Sequence, residues 1–253
     1  MNPLAHPSGI VGPAQVAPPV MYYPRTTLSI ILVIVLAFST LLRNDLFRDA
    51  ADLWLDTCQK SPGKSRPFNS LGTVYAGRGE YDQAIECFSR AITNGYGRQD
   101  LHQYNLGLAY SRKGDHRRAI SAFQMALAVK PEYVDAYYEL SISLRSEGLL
   151  YDAEKALRSA IMHAPDRPGL HNDLGSILLL RGRYSDAEKE FLVALGYDPN
   201  YPEASYNLAM NYEKMGKRKE ALQAYGHFLD VAPLDLPGRL EAEAKIRALT
   251  PSP

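Results

Sequence analysis

The chain is poor in cysteine, with only Cys58 and Cys87 in 253 residues, holds a single tryptophan, and has no excess of either charge, 28 Lys and Arg standing against 28 Asp and Glu. Two cysteines so placed make neither a disulfide framework nor a zinc site. The charge balance excludes the basic stripe of a dedicated nucleic-acid binder, so no nucleic-acid partner is expected. Also missing are a Gly-rich phosphate loop, an HExxH pair and a Gly-x-Ser-x-Gly turn. No catalytic residue, cofactor, metal or small-molecule substrate is therefore expected. His102, His116, His163, His171 and His227 fall on different helices and turns, where a structural role outweighs ligation, and Glu188 and Glu190 belong to a charged helix face.

Charge is wholly absent from residues 1–24 apart from the amino terminus, and the same stretch carries six prolines. It has no periodic apolar face that would offset the entropy of ordering it, and reads as a disordered arm. Residues 26–42, TTLSIILVIVLAFSTLL, form an uncharged run of 17 between Arg25 and Arg43, preceded by Tyr22 and Tyr23. That is the short end of a membrane span, with flanks suited to the interface. A transmembrane helix over 25–43 is the leading reading, making the protein a single-pass membrane protein. A cleaved signal peptide and a buried helix are the alternatives, the former weakened by an uncharged, Pro-rich leader. Arg43, Arg48 and Lys60 against Arg25 lean toward a cytoplasmic C-terminal part.

From Ser65 onward the chain repeats itself. Small residues recur at Gly72, Gly107, Ser141, Gly175 and Ala209, alanines at Ala84, Ala119, Ala153, Ala187 and Ala221, and bulky residues at Phe88, Phe123, Leu157, Phe191 and Tyr225, at one interval of 35 and then three of 34. Glycines stand in register at Gly79, Gly114, Gly148, Gly182 and Gly216, and prolines at Pro131, Pro165, Pro199 and Pro233. With glycine near ~7% of residues, five in register by chance is on the order of one in a million. The glycine suits the reversal between two helices, the small residue lets them approach, the bulky one fills the space beside them, and the proline stops the second. One hairpin cannot cover its own apolar face, so the array is stable only when stacked.

These positions, and the stretch LGTVYAGRGEYDQAIECFSRAI above all, resemble the tetratricopeptide repeat. The resemblance implies an all-α, right-handed superhelix of about five helix-turn-helix units over 65–235, roughly 65–99, 100–133, 134–167, 168–201 and 202–235. The first has a one-residue insertion around Asn94 to Asp100, with Tyr96 in place of its proline. Counting back one period puts Ala50, Trp54 and Pro62 on a degenerate half repeat, 44–64, so that the apolar segment runs almost directly into the solenoid. Residues 236–253 are expected to be a capping helix and tail, with Arg239, Glu241, Glu243, Lys245 and Arg247 on its outer side.

In that family the first helix of each unit lines a concave groove for a protein or peptide. Carried over residue by residue, the groove is expected to comprise Asn69 and Thr73; Tyr104, Asn105, Leu108 and Arg112; Tyr138, Glu139, Ile142 and Arg145; Asn172, Asp173 and Ser176; and Tyr206, Asn207, Met210 and Lys214. Asparagine amides both donate and accept, which suits an extended backbone, and tyrosines add rigid area with a polar tip. Asn105 and Asn207 match the asparagine ladder of O-linked N-acetylglucosamine transferase repeats, which Glu139 and Asp173 interrupt. The lysine clamp that other such domains use for a terminal carboxylate is not matched. The alternative is that these polar groups only solvate the inner face.

A second resemblance covers about 40 residues around RNDLFRDAADLWLD. Arg43, Asn44, Asp49, Leu53, Trp54 and Asp56 are similar to the junction between last span and repeats in the transmembrane-and-repeat O-mannosyltransferases, with Phe47 where tryptophan is common. That resemblance would put the repeats outside the cytoplasm, against the charge bias, and the side stays open. Taken together, a membrane-anchored scaffold without enzymatic activity is expected, held through residues 26–42. An accessory or detached part of a membrane glycosyltransferase system is the alternative.

Overall fold

Two side-chain types repeated in register dictate how each hairpin closes. In the computed structural model, which describes residues 35–36, 50–95, 97–236 and 238–250, the rings of Phe88, Phe123 and Phe191 lie over Gly72, Gly107 and Gly175. A Cβ built on Gly107 would stand 2.6 Å from the Phe123 ring, closer than real atoms approach. The missing methyl group is what lets the second helix seat its ring against the backbone of the first. In the third unit Ser141 has its Cβ, and the facing side chain is the smaller Leu157, which is 1% exposed.

The described helices follow in chain order. The helix α1 covers 50–60. Five hairpins come next: α2 Ser65–Gly77 with α3 Tyr81–Thr93, α4 Gln99–Lys113 with α5 His116–Val129, α6 Val134–Ser146 with α7 Leu150–His163, α8 Pro168–Leu180 with α9 Tyr184–Tyr197, and α10 Pro202–Lys214 with α11 Arg218–Val231. The last is α12, Gly238–Leu249. No strand occurs among the described residues. The chain divides into two units after Leu46, and of the first only Val35 and Leu36 are described, both helical. No helix among the described residues is long and apolar enough to cross a membrane. The expected arm over 1–24 and nearly all of the expected span over 25–43 lie outside the described residues.

Local signals account for the helix ends. Gly114 ends α4 at φ +87°, and its amide donates to Ser111 and Tyr110 carbonyls in a left-handed cap. The other four turn glycines have the same sign of φ. Pro131, Pro165, Pro199 and Pro233 each stand two residues beyond the end of a second helix. The intervening residue is pushed out of the helical region, Lys130 to φ −132°, ψ 88° and Ala164 to φ −146°, ψ 71°. The first unit has no such proline. There the chain turns at Gly95, φ +70°, and the Asn94 amide donates to the Pro62 carbonyl at 3.0 Å and the Lys64 carbonyl at 3.3 Å, tying the altered loop to the turn before α2.

Each helix packs on its neighbours in sequence, and first helices also meet one another, α2 with α4, α4 with α6 and α8 with α10. Second helices make no comparable contact among the described residues. Crowding on one side and splaying on the other curve the stack, with the first helices on the inside. One continuous core runs from α5 to α12 and includes Phe123, Leu157, Leu174, Phe191, Tyr225 and Phe228.

On α1 Ala51 and Cys58 are buried among Phe68, Leu71 and Cys87, and Ala50 and Trp54 pack partly covered against the same cluster. One expectation needs correction. On α12, Arg239 is not outward: its guanidinium donates to the Leu229 and Ala232 carbonyls, the latter at 2.8 Å, and Lys245 pairs with Glu213 at 2.9 Å. Both satisfy groups left by the preceding hairpin, where the last carbonyls of α11 attract a cation.

The Gly–Phe contact is open to a direct test. Gly107→Ala is expected to destabilise by about 1–3 kcal/mol through overpacking. Combining it with Phe123→Leu, which approaches the Ser141–Leu157 pairing of the third unit, should cost less than the sum of the two single changes in urea unfolding.

Candidate functional site

The inner wall is built from side chains that α2, α4, α6, α8 and α10 present at matching positions. Tyr104, Tyr138 and Tyr206 are partly buried, their rings packed on the core and their hydroxyls at the wall. Leu108 and Met210 support them. Asn69, Asn105, Glu139, Ile142, Asp173, Ser176 and Asn207 are half-buried along the same wall, and Asn172 is 5% exposed. Thr73, Arg112, Arg145 and Lys214 stand exposed at its rim.

The polar groups of this wall join one hairpin to the next. The Asn105 amide donates to Asn69 Oδ1 at 3.0 Å, and the Asn207 amide to Asn172 Oδ1 at 2.9 Å and Ser176 Oγ at 3.3 Å. The Tyr138 hydroxyl donates to the Asp173 carboxylate, and Tyr206 to Glu241. Apart from the Asn207 to Ser176 bond, each links a residue to one a single step beyond its counterpart in the next repeat. The wall is therefore a ladder of hydrogen bonds, with Glu139 and Asp173 at rung positions. In consequence one amide N–H of Asn105 and both of Asn207 are engaged inside the protein. Asn207 thereby donates twice within the protein, whereas Asn105 donates once and keeps a second amide N–H. Thr73 and Ser176 likewise donate to carbonyls of their own helices, at Asn69 and Asn172, both at 3.0 Å.

Charge is distributed differently on the wall and on the flanks. Flanking cations pair with an adjacent hairpin: Arg117 with Glu147 at 3.0 Å, Arg167 with Asp135 at 2.9 Å, and Lys217 with Glu188 at 2.9 Å. Glu154 is nearly enclosed and receives Arg158, Arg181 and Arg183. On the wall, Arg112, Arg145 and Lys214 form no ion pair among the described residues, and neither does Glu139. Burial pushes the Glu139 carboxyl above its ordinary range, with Arg112 opposing the shift and Asp135 adding to it. Asp173 is raised by burial too, against the Tyr138 bond and Arg145. Tyr206 is pushed up to about 12 by burial and by its bond to Glu241.

Two cavities open on the wall. One, of about 340 Å³, lies between α2 and α4 and includes Thr73, Asn105, Leu108 and Arg112. The other, of about 430 Å³, lies toward α12 and brings Arg145, Asp173, Ser176 and Asn207 together with Glu203 and Glu241. Glu203 and Glu241 had not been expected there. Glu241 was placed on the outer side of α12, but it stands 34 residues beyond Asn207 and so on the same wall position, a signal already present in the period. No metal-binding group of three His, Cys, Asp or Glu occurs among the described residues. His171 bonds Glu190 at 2.8 Å and the Pro165 carbonyl at 2.9 Å, and His227 bonds Ser205 at 2.8 Å, so both brace hairpins.

Comparison with known proteins follows this geometry. Profiles of the tetratricopeptide repeat match residues 65–132, residues 104–164 and 150–205, and residues 203–234. The peroxisomal targeting signal receptor of Kluyveromyces lactis is 34% identical over 94 residues, 37% of this chain and 16% of the receptor. Protein O-mannosyl-transferase TMTC3 of Mus musculus is 22% identical over 191 residues, 70% of this chain and 21% of that protein. The chain thus spans about a fifth or less of the length of these curated relatives. Among solved structures, YrrB, described as a TPR protein with an unusual peptide-binding site, superposes with a TM-score of 0.64 at 21% identity, over 77% of this chain and 100% of that one. MamA superposes with a TM-score of 0.61 at 20% identity, covering 69% and 97%.

The raised carboxyl of Glu139 has a thermodynamic consequence. Below the usual carboxylate range both folded and unfolded chains hold the proton, and Glu139→Gln should match the parent in stability. As pH rises through that range the unfolded chain ionises first, so the parent loses stability and the variant does not. Thermal unfolding from pH 3 to 7 should show the variant's Tm pulling ahead only on the neutral side.

Proposed function

Because the chain belongs to the tetratricopeptide repeat family, we propose that it is a scaffold whose inner wall holds a segment of a partner protein, with no catalytic role of its own. The observation that carries this reading is the ladder between two cavities, a wall of tyrosines and pre-positioned polar groups along which Arg112, Arg145 and Lys214 form no ion pair among the described residues. Such a surface has its conformational cost met at folding, which favours binding. Aromatic and arginine side chains are also those that dominate interface energetics.

The apolar run over 26–42 supports anchoring of this scaffold in a membrane as a single-pass protein, where it assembles partners at the bilayer surface. A second reading, an accessory part of a membrane glycosyltransferase system, draws on the match to TMTC3 and on the junction residues Arg43 to Asp56. Deleting the protein would then abolish glycan transfer to an acceptor, whereas a scaffold unconnected with glycans would leave transfer intact.

Two experiments test the leading reading. Capture of extended peptides by the full chain should fall at least tenfold when Asn105→Ala, Tyr138→Ala and Asn207→Ala are combined, with helical content unchanged by circular dichroism. Undiminished capture would place binding elsewhere. Carbonate extraction of membranes should leave the full chain in the pellet and release a chain lacking residues 1–43.

A further inference from the structure

The hairpin turns line up along one edge of the stack, joined from each to the next by ion pairs. Lys113 in the second turn meets Asp82 beside the first, Arg117 meets Glu147 in the third at 3.0 Å, and Lys217 in the fifth meets Glu188 at 2.9 Å. Between the third and fourth turns the cations outnumber what the junction requires. Buried Glu154, near the start of α7, receives Arg158 at 2.8 Å, Arg183 at 3.1 Å and Arg181. One period on, Glu188 and Lys217 occupy the positions of Glu154 and Arg183 and make the junction with a single pair. Each Glu154 oxygen already accepts from two guanidinium groups. The guanidinium groups are not used up in the same way, since each carries five N–H donors. Arg183 gives its other nitrogens to Asp186, which Lys189 also approaches at 3.5 Å, so the cluster keeps a positive excess.

Three large apolar side chains stand in the open around these arginines, Leu149 47% exposed, Tyr151 67% and Leu180 61%. The Arg181 guanidinium lies 5.4 Å over the Tyr151 ring, and Leu180 is its neighbour in the chain, so cations and apolar groups form one patch. The chain also enters the solenoid on this edge. Ala50 and Trp54 at the start of α1 pack into one cluster with Tyr75 near the end of α2. Pro62, past the end of α1, lines a cavity with Phe68 near the start of α2. The two helices are therefore antiparallel, and α1 begins on the side of the hairpin turns.

We propose that this patch docks on a bilayer surface containing anionic phospholipid, Arg158 and Arg181 donating to a headgroup phosphate while Leu149, Tyr151 and Leu180 enter the interface. The inference lies outside the groove, and its location rests on the anchoring of residues 26–42. Only residues 43–49 separate that run from α1, a reach of at most about 25 Å. Guanidinium groups suit phosphate oxygens, and aliphatic and tyrosine side chains beside them suit the acyl boundary. Nucleic acid offers the phosphates but nothing for Leu149 and Leu180 to enter. The positive excess selects anionic over zwitterionic lipid.

The test uses the full chain carrying Trp54→Phe and Tyr151→Trp, which leaves one indole, at the patch. It is reconstituted in phosphatidylcholine vesicles with or without phosphatidylserine, each made with plain or brominated acyl chains. Brominated lipid should quench the emission when phosphatidylserine is present and leave it unchanged when it is absent. Raising salt to about 1 M, where the screening length falls to about 3 Å, should restore it. Arg158→Gln with Arg181→Gln should abolish the quenching. Leu149→Ser with Leu180→Ser should do the same without touching Glu154, at unchanged helical content. Absence of quenching in anionic vesicles, which leaves the patch to a protein partner, overturns the inference. So does equal quenching in phosphatidylcholine alone, or quenching that ignores both pairs of changes. The anchor is read separately: a chain released by carbonate yet quenched by anionic vesicles keeps the docking and loses the anchor, and a retained chain without quenching does the reverse.

Discussion

Every hairpin in this protein closes on one contact, a first helix without a bulky side chain at the point where the second helix inserts a large one. The distance between the helices, and hence the room for everything else, is set there. Gly107 against Phe123 leaves no space for even a methyl group. Ser141 against Leu157 reaches the same end with a larger wall and a smaller knob. Because the contact is made in the same register in each repeat, every first helix comes to the inside and every second helix to the outside. A curved wall is the outcome of many equivalent short-range contacts and of no single long-range one.

That wall shows how a repeat protein separates stability from recognition. Apolar positions and flanking ion pairs join hairpin to hairpin wherever charge is present on the outside, as at Arg117 with Glu147 and Arg167 with Asp135. Inside, the joining is done by amides and by tyrosine hydroxyls that donate to Asp173 and Glu241, while Arg112, Glu139 and Arg145 form no ion pair among the described residues. Holding a carboxylate half-buried without a donor costs folding free energy. Such a cost persists where a ligand removes it, and the pattern of destabilised groups at binding sites is general.

Much of this arrangement is legible in the residues. The glycine, alanine and proline registers specify the hairpins, their turns and their order, because each acts through its own backbone or a neighbour within a turn. The wall positions follow by counting, and Glu241 could have been found the same way. Two matters escape counting. Arg239 and Lys245 turn inward because carbonyls and a carboxylate of the preceding hairpin await them, and a composition of alternating charges gives no sign of that. On α1, Ala51 packs among Phe68, Leu71 and Cys87 more deeply than its neighbour Ala50, which counting along the chain does not distinguish.

The residues on their own decided that this chain folds as stacked helical pairs and which faces would line the inside, since a period of 34 is a local instruction written several times. Only the tertiary structure decided which polar groups on that inside are spent on one another and which are open. Whether Asn105 meets Asn69 while Tyr104 misses Glu139 depends on how far each side chain reaches across a gap between hairpins. That reach is settled by packing beneath the wall, where Tyr133 and Phe123 hold the Tyr104 ring, and no spacing along the chain encodes it.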